Sequence, residues 1–206
     1  PSGADAAGAA SVLASLEDGP GPACQVLRDL VQARGRTLQQ MAKQARRGPS
    51  RFAKRDPGLP ALVEGVAARS NRRTRERAVT LLEQAAVRAV DSRVRDYAVL
   101  SLGRALVAVD RDADAMARFL SLWEAVPAGP FAADAGFEAS RCATRLGDTA
   151  RSTALLRQVA REHPEGGMLA RIRWELVLAE LVAGNDAAAL ERLDAALVRM
   201  DRGDGV

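Results

Sequence analysis

The sequence predicts an all-α protein, a right-handed superhelix of four to five antiparallel helical hairpins with no β-sheet. Three observations carry this expectation. First, Asp110, Gly147 and Gly184 stand 37 residues apart, and each is followed at fixed offsets by a small residue, a large apolar residue and a stop. The sets are Ala115, Phe119 and Pro127; Ser152, Leu156 and Pro164; and Ala189, Leu193 and Asp201. One period earlier, Arg73, Ala78, Leu82 and Val90 make a fourth copy. A unit of this length is a pair of helices too small to bury its own apolar face, so it stacks on its neighbours. Second, alanine, leucine and arginine dominate while aromatics make up only 3% of residues, a helix-forming composition. Third, the breaks between periodic stretches are two to five residues long, which makes consecutive helices antiparallel.

The elements follow in order. Ala4 to Glu17 reads as an Ala-rich helix closed by Asp18-Gly19-Pro20-Gly21-Pro22, a run of chain breakers. Pro22 suits the first turn of the next helix, which reaches about Arg34 and carries Val26, Leu27, Leu30 and Val31 on one face. Gly35 ends it, and a helix from Arg36 or Thr37 runs to about Arg47 with Leu38, Met41 and Ala45. Residues 48–60 hold three prolines and two glycines, and are expected to form the longest loop. Regular pairs then begin with Leu62–Arg69, followed by a helix from an Asn71 cap to Val90. Asp91 or Ser92 caps a helix to Val109, and Asp112 starts its partner, ending at Pro127. Phe131 to Leu146 pairs with Asp148 to His163, Gly147 supplying the turn and Asp148 the cap. Leu169 to Ala183 pairs with Asn185 to Met200. Residues 1–58 thus form an N-terminal region of helices with a divergent hairpin and a basic loop, and 59–206 the regular array.

Bulk properties narrow the function classes. Hydrophobic residues at 48% can build a sizeable core, which argues against wholesale disorder. Lys43 and Lys54 are the lysines among many arginines, a bias that GC-rich coding explains. Cys24 and Cys142 lie far apart and outside any metal-ligand spacing, so no metal or cofactor is expected, while a disulfide between them is possible but unsupported. Each falls in an apolar pattern, where cysteine acts as a small hydrophobe. No apolar run is long enough to span a bilayer. The chain opens on Pro1-Ser2-Gly3 without signal-peptide features; beginning without Met, it is compatible with a removed leader or upstream domain.

The order small residue, large apolar residue, proline, with Leu102-Gly103 and Leu106 upstream of Ala115, Phe119 and Pro127, resembles the tetratricopeptide repeat. Later copies replace the Leu-Gly pair by Ala139-Ser140 and Leu176-Val177. The period also exceeds the usual length of about 34 residues. The likeness covers about residues 59–200, with 22–47 as a divergent fifth hairpin. It implies a non-enzymatic scaffold that binds a protein or peptide, and a cytoplasmic location fits it. A second stretch, Gly129 to Ala139 with Leu146-Gly147-Asp148 and His163-Pro164, is similar to the superhelical region of bacterial soluble lytic transglycosylases. That resemblance implies a periplasmic shaping or docking role on peptidoglycan, an anionic cell-wall polymer as partner, and no catalytic residue within this chain.

His163 sits at a helix end beside Glu162 and Pro164, where a contact with the helix dipole or solvent accounts for it better than a general base. No nucleophile-elbow, HExxH or phosphate-loop context is present, so no catalytic residue is assigned. Residues 43–77 carry eleven basic and three acidic side chains, net +8, whereas 110–206 carry net −4. Arg51, Lys54, Arg55, Arg69, Arg72, Arg73, Arg75 and Arg77 are expected to form one positive face for an anionic polymer. A solvated, solubilising face is the simpler account. A nucleic-acid binder is the third and least favoured reading, resting only on the 43–77 segment, because Phe52 is the single aromatic there and base stacking needs more. Arg104 and Arg141, one period apart, with Glu138, Arg145 and Trp174, are expected to line an inner groove for a peptide. Trp174, Leu178 and Leu181 make an apolar stripe for which burial against flanking helices is the simpler use. The last helix offers Leu190, Leu193, Ala196, Leu197 and Met200 on one side, which suggests further helices or self-association through the C-terminal hairpin.

Overall fold

The computed structural model describes residues 21–164, 168–182, 184–185, 187 and 189–190. Among these residues the chain is all helix and turn, with no strand. Ten α-helices follow one another among the described residues: α1 Pro22–Gln32, α2 Gly35–Arg47, α3 Pro49–Ala53, α4 Leu59–Arg69, α5 Arg75–Arg88, α6 Ser92–Ala108, α7 Asp112–Ala125, α8 Ala132–Arg145, α9 Thr149–Glu162 and α10 Leu169–Val182. From α4 onward each helix packs on the one before it, an arrangement compatible with a helical solenoid. One hydrophobic cluster runs from Ala23 to Leu176, so the core is continuous across the expected boundary at 58/59. No described helix is long and apolar enough to cross a membrane. The expected helices Ala4–Glu17 and most of Asn185–Met200, with Leu193 and Asp201, lie outside the described residues.

The 37-residue spacing has a backbone cause. Asp110, Gly147 and Gly184 hold φ of 61°, 83° and 74°, the left-handed region that ends helices cheaply at glycine. The next residue donates back to the same register each time: Arg111 N to Leu106 O at 3.0 Å, Asp148 N to Ala143 O at 2.9 Å and Asn185 N to Glu180 O at 2.9 Å. Two capping bonds then satisfy the last carbonyls of α6, α8 and α10. The following helices start as the sequence suggests. Asp148 Oδ1 accepts from Arg151 N at 2.9 Å, and Asp91 Oδ1 accepts from Arg93 N at 2.8 Å. The fourth copy differs at its turn. Arg73 lies in a 3₁₀ turn, Arg72–Thr74, capped by Asn71 Oδ1 at 3.0 Å from Arg73 N.

Small and large positions behave consistently. Ala78, Ala115, Ser152 and Ala189 are buried, as are Leu82, Phe119 and Leu156. A Cβ at Gly103 of α6 would strike the Phe119 ring of α7, and one at Gly65 of α4 would meet Leu82 of α5 at 2.7 Å. The large residue therefore fills the seam with the helix before it. The glycine opposite makes room for it.

Residues 48–60 are not one long loop. Pro49 takes the first turn of α3 and Pro60 the first turn of α4, positions where the missing N–H costs nothing. Phe52 is buried, so an apolar anchor overrides the breaker composition. Asp56, 2% exposed, sits in the remaining turn. Its Oδ1 accepts from Gly58 N at 2.7 Å, and its Oδ2 accepts from Val90 N and Asp91 N at 2.9 and 2.8 Å.

Candidate functional site: the groove along alternate helices

An open cleft of about 460 Å³ takes its lining from α1, α2, α4, α6, α8 and α10, with Met168 just before α10. The second helices, α5, α7 and α9, contribute nothing to it. Helices one 37-residue step apart present corresponding positions to one surface, which is why Arg104 and Arg141 both reach the cleft. The same step explains the residues that the sequence reading passed over. Tyr97, Asp134 and Arg171 form one 37-residue row, and Leu100 and Phe137 begin another; all five line the cleft. Stepping the period through the neighbours of Arg104 finds them.

Electrostatics concentrate between α6 and α8. Arg104 Nη2 donates to Asp134 Oδ1 at 2.8 Å, and its Nε donates to Glu138 Oε1 at 3.1 Å. Arg141 Nη1 lies 3.5 Å from the other Glu138 oxygen. Burial works against the Arg104 charge, yet the two carboxylates, Glu138 foremost, outweigh it and hold the guanidinium above its ordinary value. Burial likewise pushes Asp134 above the usual carboxylate range, against the pull of Arg104. Across the cleft, the Arg171 guanidinium lies 4.6 Å from the centre of the Phe137 ring, within cation–π reach. Asp134 and Glu138 thus hold Arg104 in the wall, while the guanidinium of Arg141, half-exposed, and that of Arg171 border the opening. The surface combines apolar side chains with cations able to receive carbonyl or carboxylate groups.

Of the five residues expected in the groove, Arg104, Glu138 and Arg141 line the cleft. Arg145 does not. It ion-pairs with Asp112 at the start of α7 and donates to Cys142 Sγ at 3.1 Å. Trp174 does not either: it is 54% exposed, and Leu178 and Leu181 beside it on α10 are also exposed. The stripe expected to be buried faces solvent along the described part of α10.

The basic residues expected on one face separate. Lys54 and Arg55 adjoin Asp56, which is bound at Val90 and Asp91 beyond the C-terminal end of α5. Arg72 and Arg73 precede the N-terminal end of the same helix. Fourteen residues of α-helix separate the groups by about 20 Å. Arg51 and Arg55 border a smaller cleft with Met41 and Phe52, while Arg69 borders the large one. Arg75 Nη1 donates to Ala108 O at 3.0 Å, where a cation meets the negative end of α6. Arg77 lies 3.5 Å from Glu64, which also faces Arg46 at 4.0 Å. Two of the cations that open α5 are therefore matched by the neighbouring helices.

Other reactive side chains are held in structural surroundings. Cys24 and Cys142 are buried free thiols, and burial pushes Cys142 up to about 11, which keeps it protonated and unreactive near neutrality. His163 closes α9, its backbone N–H donating to Val159 O at 2.9 Å. Among the described residues, no group of three or more His, Cys, Asp or Glu is placed to hold a metal ion. No model of a known protein family, no curated protein and no solved structure matches the chain.

Proposed function

We propose that this chain is a non-enzymatic scaffold module, a tetratricopeptide-like array of antiparallel helix pairs in a right-handed superhelix, and that its cleft holds a segment of another protein. The observation that carries this reading is the shared lining of the cleft by α4, α6, α8 and α10. A surface built from every second helix offers an elongated ligand the same kind of contact at each step. Val107, half-buried, offers apolar contact over the buried Leu100, Phe137 and Met168, and Arg141 and Arg171 supply donors at the rim. The 37-residue recurrence of left-handed turns, at Asp110, Gly147 and Gly184, supports the repeat character.

Panning a random-peptide phage library on the protein tests this. Enriched peptides are expected to bind the Arg141→Glu/Arg171→Glu variant at least about tenfold more weakly, equivalent to about 1.4 kcal/mol. Binding to Arg118→Glu, altered at an exposed position on α7, should be unchanged. No enrichment, or equal binding by the cleft variant, removes the reading.

A further inference from the structure

The cleft carries a positive excess that α5, α7 and α9 lack. Its lining holds five arginines, Arg34, Arg69, Arg104, Arg141 and Arg171, against two carboxylates, Asp134 and Glu138, a net +3. By contrast, α5, α7 and α9 together hold seven arginines and six carboxylates. The excess is also spread along the cleft. Each of α4, α6, α8 and α10 brings one arginine to it, and the link between α1 and α2 adds Arg34. Both carboxylates of the wall bond to Arg104.

Three of the other arginines have contacts that orient them. Arg34 Nη1 donates to Val31 O at 2.6 Å and to Ala33 O at 2.9 Å. Arg141 Nη1 lies 3.5 Å from Glu138, and the Arg171 guanidinium lies 4.6 Å from the centre of the Phe137 ring. Side chains held in this way lose less freedom when a ligand arrives, and the guanidinium fork matches a carboxylate. The aromatic rings of the lining, Tyr97 and Phe137, are buried. They present no open face for a nucleic-acid base to stack on, which favours an acidic peptide over a nucleic acid.

We propose that the segment held by this cleft is acidic, and that Arg34, Arg141 and Arg171 receive its side-chain carboxylates. This rests on the groove-binding reading above and specifies its ligand class. Arg104, held by both carboxylates of the wall, takes no direct part. An excess of one sign in a partly water-excluded cleft draws in the opposite sign and turns away basic segments.

The peptides enriched by panning, synthesised with amidated C-termini so that only side chains supply carboxylates, are the probes. Asp and Glu should outnumber Lys and Arg among them. Replacing those acids by Asn and Gln should weaken binding at least about tenfold, or about 1.4 kcal/mol, with the protein itself unaltered. Arg34→Gln/Arg141→Gln should bind the acidic forms at least about tenfold more weakly and no longer distinguish them from the amide forms. Lys43→Gln/Arg47→Gln removes the same charge from exposed positions of α2 outside the cleft, and should change affinity by less than about twofold where salt screens distant charges. An equal loss in that control means general attraction and overturns the proposal. So does tighter binding of an oligothymidylate of about twelve nucleotides that displaces the peptides. Neutral or basic peptides that bind the cleft sink this inference and leave the peptide-binding reading standing, whereas no enrichment at all removes both.

Discussion

Asp56 shows how much one side chain can hold. Its carboxylate accepts three backbone N–H groups, from Gly58, Val90 and Asp91, and so ties the turn before α4 to the connection between α5 and α6. Gly58 presses on the same helix end: an added Cβ would lie 2.7 Å from Ala85 O. Removing the acceptor leaves buried or part-buried donors unmatched, and that asymmetry makes such losses costly. Asp56→Ala is expected to lower stability by about 2–4 kcal/mol, read as a drop in urea midpoint with unchanged slope. A change below about 0.5 kcal/mol would mean that water replaces the carboxylate there. Nothing local announces this role. In the sequence Asp56 precedes Pro57-Gly58 and reads as an ordinary turn residue, because two of its three partners lie 34 and 35 residues away.

At the scale of elements, two kinds of glycine separate by mechanism. Gly147 has φ of +83° and nothing within 4 Å of an added Cβ, so Gly147→Ala bears only the backbone cost, about 1–2 kcal/mol. Gly103 has ordinary helical geometry, but its Cβ would collide with Phe119; the penalty comes from overpacking, about 1–3 kcal/mol. Thermal or urea unfolding of double variants distinguishes them. Phe119→Leu should recover part of the Gly103→Ala loss and none of the Gly147→Ala loss. Equal coupling in both cycles would show that Phe119 does not set the seam. The turn glycines were legible because their period is regular and their neighbours cap helices. α3 was not, since Pro49 and Gly48 read as breakers and only the burial of Phe52 shows why a short helix persists.

For the whole molecule, the Arg104–Asp134–Glu138 network joins α6 to α8, and its protonation enters global stability. Burial raises Asp134 despite its contact with Arg104. For an acid whose folded value lies above its unfolded value of about 3.9, the stabilising contribution is full below that unfolded value. It is lost as pH rises through the folded value. Urea titrations from pH 4 to 7 should therefore show the unaltered protein losing stability relative to Asp134→Asn as pH increases. A gain instead would mean that Arg104 outweighs burial at this site. The charge map also changes at this scale. Arg51, Lys54 and Arg55 are near Arg72–Arg77 in sequence, yet α5 holds the two groups apart, and Arg75 and Arg77 meet Ala108 O and Glu64.

The sequence by itself determined the described helices other than α3, most of their caps and the 37-residue step, because these depend on φ preference, side-chain size and capping within a few residues. It also placed Arg104, Glu138 and Arg141 together, since a constant step carries one face into the next. Tertiary structure alone decided that Arg145 turns to Asp112 and that Trp174 stays outside the cleft. It also decided that α1 meets α6, far along the chain. Each of these depends on which apolar surfaces meet across 30 residues or more, and burial at such a distance is set by the stacking of the helices, which local periodicity does not encode.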